Sequence, residues 1–342
     1  MMVGNFTQTC VVAKNEIVKC VRGRKFLISF AIVLIVFLLV TALQFITDTW
    51  DTLDNMGALA STYLNTLPLV IALIVALLSS IALVSEFEER TALVLFTRPI
   101  RRTSILLGKV FACTIIEALI IAFYYILVVV VGFFKIDSVS YIDILISYGF
   151  AVLYAFSASG IAFVISAFFK KGSVCTIICL LLLLLVIPLV STMLGNNGGE
   201  NWFMIDKASD AIYTCIPEYV ENYNMNLDAF AAVIESAIQI LEGFTSSDLD
   251  AAKEWLAAYM ASPDYEELVP TVQISIAKMA AFLNLGADGN LPGMIMVLKI
   301  MAGSSLITPI ESPDIVKEVL VLVAWGVAGY FIAWIRFIRR EF

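Results

Sequence analysis

Glu86-Phe87-Glu88-Glu89-Arg90-Thr91-Ala92-Leu93-Val94-Leu95-Phe96-Thr97-Arg98-Pro99-Ile100-Arg101-Arg102-Thr103-Ser104-Ile105-Leu106-Leu107-Gly108-Lys109 is the stretch on which the reading of this chain turns. It crowds charged side chains between two apolar runs, residues 67–85 before it and 110–134 after it. Each run is long enough to cross a bilayer. The stretch is therefore a connector between two spans, and its side of the membrane follows from the rest of the chain.

The chain has 342 residues, of which 61% are hydrophobic and 15% charged. Ordinary soluble domains carry roughly a quarter charged residues, so this composition describes a polytopic membrane protein. It contains no histidine, which removes the commonest general base and metal ligand. The six cysteines form no CxxC pair; neither a disulfide framework nor a zinc site is indicated. A net charge of −8 argues against a nucleic-acid partner.

Working outward gives six spans. Residues 1–25 form an N-terminal segment in which Cys10, Ala13, Ile17 and Val21 fall near one helical face, with Asn15, Lys19 and Arg22 opposite. That pattern fits a short amphipathic helix lying on a membrane surface. Residues 26–46 make an uncleaved first span, too long for a signal-peptide core. The connector 47–66 is acidic, with Asp48, Asp51 and Asp54 beside the interfacial aromatics Trp50 and Tyr63. After spans at 67–85 and 110–134, a fourth lies within 141–169. A fifth covers 174–194 with a kink expected at Pro188, and a sixth covers 315–335.

An even number of spans places both termini on one side. Fifteen of the 21 Lys and Arg fall in the segments on that side, clustered in short connectors and at the two ends. The positive-inside rule makes it the cytosol and puts residues 195–314 outside. Apolar residues at helical spacing in 227–241, 248–260 and 265–285 predict a helical extracytoplasmic domain there. Residues 294–300 are too short to span and fit a packed or interfacial helix. The expected fold is all-α: six transmembrane helices with an extracytoplasmic helical domain between the fifth and sixth.

The sequence offers little chemistry. No nucleophile elbow, zinc-protease motif or triad is present, and no catalytic, cofactor or metal residue is assigned. Gly108-Lys109 fails as a phosphate loop, because Thr103 stands where the first Gly is required and Val110 where a Ser or Thr is. Glu117 is the one carboxylate well inside a span, where an ionisable group is costly; it could neutralise a cation, relay a proton or accept hydrogen bonds from a neighbouring helix. Ala151, Ala155 and Ser159 recur every four residues with Gly160 adjacent, spacing that lets helices approach closely within the chain or across a dimer.

The opening stretch itself predicts a helix, a turn and a second helix. Glu86, Glu88 and Glu89 occupy the first turn of the first helix, where carboxylates favour the positive end of the dipole. Arg98, preceding Pro99, is pushed toward extended geometry and ends it. Residues 100–107 start a helix that runs through Gly108-Lys109 into the third span. Apolar Leu93, Leu95 and Phe96 ringed by charge fit a docking surface.

These residues resemble the permease subunits of ABC-2 type exporters. The shared pattern is an acidic run (Glu86, Glu88, Glu89), Arg90-Thr91 in place of Gly-Thr, a Leu-rich helical turn containing Leu95 and Phe96, Pro99 followed by Arg101, and Gly108-Lys109 opening the third span. The six-span plan, the amphipathic N-terminal helix and the basic end Arg339-Arg340-Glu341 belong to the same resemblance, which does not visibly extend over residues 195–314. It implies that residues 86–109 form a coupling element docking on a separately encoded cytosolic ABC ATPase subunit. It further implies a second permease copy, a multi-pass place in the cytoplasmic membrane with its lipid, and export of an unknown substrate. The alternatives are a non-transporting scaffold or sensor with a ligand-binding outer domain, and an independent secondary transporter.

Overall fold

The computed structural model describes residues 5–47, 49–85, 102–136, 139–196, 200–227, 254, 257–266 and 310–339. The described residues contain helices and no strand. They fall into two compact units, residues 1–216 with 312–342, and residues 217–311. Among the described residues, six helices are long and apolar enough to cross a membrane. In order, the helices of the first unit are α1 (Asn5–Arg22), α2 (Arg24–Ile46), α3 (Met56–Leu78), α4 (Arg102–Lys135), α5 (Tyr141–Phe168), α6 (Gly172–Gly195), the short α7 (Ile205–Ser209) and α8 (Ala211–Thr214), and α9 (Ile315–Arg339).

The amphipathic helix forms, but its inward face is rotated from the expected one. Thr9 and Ala13 are buried while Cys10 and Val21 are exposed; the sequence could not show that α1 has a neighbouring helix to satisfy. That neighbour is α4. Gly23, extended at φ −79°, separates α1 from α2. The second span begins earlier than residue 67, at Met56. Asn55 caps it by accepting a hydrogen bond from the Ala58 N–H at 2.8 Å, so half of the expected acidic connector is helix.

Toward its other end α3 stops at Leu78, short of residue 85. Ser79 and Ser80 sit in a turn there. The freed backbone is satisfied from another span, because Ser166 Oγ accepts from the N–H groups of Leu83 (3.0 Å) and Val84 (3.1 Å). In α6 a π-turn at Leu182–Val186 directly precedes Pro188, so the break expected at the proline is prepared one turn earlier.

α5 and α9 cross closely. A Cβ on Gly160 would lie 2.8 Å from the Gly326 carbonyl oxygen, and one on Gly329 would lie 2.6 Å from the Gly160 carbonyl carbon. The small-residue stripe of the fourth span thus serves contact within the chain. Ser157 Oγ donates to the Leu322 carbonyl, and the Ser159 and Tyr330 hydroxyls bond each other. α7 and α8 pack against α5, with Ser147 Oγ donating to the Ile212 carbonyl at 2.5 Å. In the second unit, residues 217–227 are helical and Asn224 brackets Ile310, donating to its carbonyl and accepting from its N–H, both at 2.9 Å. Of the predicted helices 227–241, 248–260 and 265–285, residues 227, 254, 257–260 and 265–266 are described and helical; the rest of them, and the apolar segment 294–300, lie outside the described residues.

Candidate functional site

Glu86, Glu88, Glu89, Arg90, Thr91, Leu95, Phe96, Pro99 and Arg101 lie outside the described residues; Lys109 and Glu117 lie within them. The described chain reaches Ser85 and resumes at Arg102, and both flanks enter one apolar cluster. Leu83 comes from the approach to Ser85, Leu106 and Val110 from α4, Phe163 and Ala167 from α5, and Ala333 and Phe337 from α9. Burying these side chains together fixes the two points between which residues 86–101 run. Arg102 adds a tie to the end of α9, its Nη1 donating to the Ile338 carbonyl at 2.9 Å.

Gly108 and Lys109 hold α1 onto the same base. A Cβ at Gly108 would meet Val12 Cγ1 at 2.7 Å and the Thr9 carbonyl oxygen at 3.0 Å, so only glycine lets the two helices come this close. Lys109 is buried and its Nζ reaches Glu16 Oε1 at 3.1 Å. The pair of residues that resembled a phosphate loop is a helix clasp. Glu16 was missed by the sequence reading because it looked like one more polar residue on a surface helix; its partner is 93 positions away.

Glu117, two turns further along α4, is fully buried. Ser79, in the turn that ends α3, donates its hydroxyl to Glu117 Oε1 at 2.6 Å, whereas Oε2 has no hydrogen-bond partner. Cys113, Cys179 and Tyr330 lie nearby. The site thus gathers groups from α4, α6 and α9 around a break in α3. Two adjacent serines at the end of an apolar run were the signal available for it.

At the opposite end of the spans, Lys207 Nζ bonds Asp210 Oδ2 at 2.8 Å, and Tyr213 donates to Asp210 Oδ1 at 2.5 Å. Burial, reinforced by Asp210, pushes the Asp206 carboxyl up to about 6, against a smaller opposing effect of Lys207.

The described residues thus hold six helices long and apolar enough to cross a membrane. The family model described as ABC-2 family transporter protein matches residues 10–342, and the chain belongs to that family. The match starts within α1 and runs to the last residue, across the 195–314 region that the sequence resemblance had left out. No curated protein matches the chain.

Proposed function

We propose that this chain is the permease subunit of an ATP-driven exporter, with residues 86–109 as the coupling element that docks on a separate cytosolic ABC ATPase. The observation that carries this is the common anchoring of both flanks of residues 86–101. Leu83 and Leu106 share one apolar cluster with α5 and α9, and Gly108-Lys109 clasps α1. A push delivered to this segment would enter four spans and the N-terminal helix at once, as a rigid-body switch requires.

In this reading ATP is bound and hydrolysed by the partner subunit, both termini are cytosolic, and the protein sits in the cytoplasmic membrane. Residues 195–314 form an extracytoplasmic helical domain, and a second permease copy completes the transporter. The outward faces of α2 and α6, with Leu27, Ile35, Ile177, Leu181, Leu185 and Leu189 exposed, are apolar enough for lipid and for that second copy. Substituting Glu88→Lys and Glu89→Lys together is expected to abolish co-purification with the ATPase while the permease still elutes as a folded species. Unchanged pull-down rejects the docking role.

A further inference from the structure

We infer that Glu117 is a proton-binding site inside the span bundle, its buried carboxyl held by Ser79 at Oε1. Glu117 is 0% exposed, receives one hydrogen bond, from Ser79, and has no partner for its second oxygen. A carboxylate in such a place needs a cation or several donors to hold its charge. None of the ion pairs among the described residues reaches it.

The groups facing it from each side are neutral or occupied. α3 and the turn that ends it contribute Ser79; α6 contributes Cys179; α9 contributes Tyr330, whose hydroxyl is bonded to Ser159 and to the Phe156 carbonyl. On α4 itself Cys113 stands one turn away. Lys109 is eight residues off, about 12 Å along the axis, and is paired with Glu16. The Ser79 hydroxyl meets Oε1 at 2.6 Å, and a protonated carboxyl keeps this bond whichever of the two groups donates.

The position gives the proton a use. Ser79 lies where α3 breaks, so any motion that straightens or withdraws that turn removes the hydrogen-bond partner that the described residues give Glu117. Admitting water there would let the proton leave, and the resulting charge would resist re-closure until a proton returned. The bundle would then close only around a protonated glutamate. This use in a cycle rests on the permease reading; the proton site does not.

The test is infrared difference spectroscopy on the purified chain in detergent at neutral pH, comparing wild type with Glu117→Gln. Gln accepts from Ser79 and is neutral, so the variant is expected to fold with unchanged thermal stability. The difference spectrum should show loss of one carboxylic-acid carbonyl band that is sensitive to deuterium exchange. Ser79→Ala should keep that band and move it to higher frequency, which a role for Ser79 in packing alone would not do. Loss of carboxylate bands instead, with stability falling in Glu117→Gln, overturns the proton site and points to a bound cation. Failure of the ATPase pull-down leaves this spectrum untouched, so the two readings fail separately.

Discussion

Helix α4 carries a lysine near each end, each within about 3 Å of a carboxylate, and the two pairs are physically unlike. At the base, Lys109 meets Glu16 with side chains 3% and 22% exposed. At the far end, Lys135 meets Asp51 at 2.9 Å with side chains 22% and 94% exposed, and Lys135 also lies over the Trp50 ring, 4.9 Å from its centroid. Charge and distance are almost the same; solvent is not. An ammonium held in the interior depends on its partner, because removing the partner leaves a desolvated charge. One held at the surface has water as a substitute. The base is therefore built to keep α1 in place, while the far end merely tolerates its pair.

The largest expected effect is at the base. Lys109→Ala removes the ammonium paired with Glu16, and the loss should be about 2–3 kcal/mol, below the roughly 3–5 kcal/mol of a fully buried pair because Glu16 keeps some contact with water. It is read as a fall in the thermal midpoint of the detergent-solubilised protein. A cycle with Glu16→Gln should recover most of that loss as coupling between the two residues. Additive single effects would mean that Lys109 acts through partners other than Glu16.

A smaller effect is expected from Asp206. Its folded pKa of about 6 lies above the unfolded value near 4. Between those values the folded chain keeps a proton that the unfolded chain has lost, so stability falls as pH rises through that window and is level above it. Asp206→Asn should remove this dependence. At pH 7 the variant should be more stable than wild type by roughly 1 kcal/mol, the shift being discounted for the partly open site. The difference should vanish below about pH 4. A pH-independent difference would place the effect in packing.

Much of the fold was legible because lipid and water sort side chains along the chain. Span count and order follow from apolar run length alone, and the helix through Gly108-Lys109 into the third span follows from continuity. What hydropathy misreports is which spans are core. α6, a nearly unbroken Leu and Val run, exposes Ile177, Leu181, Leu185 and Leu189, whereas α5, interrupted by Ser, Ala and Gly, buries Ser157, Ala158, Ser159 and Ala162. In a bilayer, apolar bulk faces lipid and small polar residues face other helices. The early start of α3 at Asn55 and its end at Ser79 were hidden for a related reason. A cap and a Ser166 hydroxyl reaching across from another span set them, and local composition does not. Of the candidate site, Glu117 was legible as an expensive residue, but its partner Ser79, 38 positions away, was not. Glu16 became visible only when α1 was found against α4.

The smallest effect, and the one that most sharpens the contrast between the two ends, belongs to Lys135→Ala. Asp51 is almost fully in water, and water can replace the ammonium with little loss. What Lys135 covers is one face of Trp50, which also stacks on Phe45 with centroids 4.4 Å apart; that ring stays packed when the lysine is gone. The thermal midpoint should move by no more than corresponds to about 0.5 kcal/mol, and the small change that remains should shrink further in high salt. A loss as large as that of Lys109→Ala, or one insensitive to salt, would show that solvent exposure is not what separates the pairs. The loop carrying Trp50 and Asp51 would then be as much a fixed part of α4's far end as α1 is of its base.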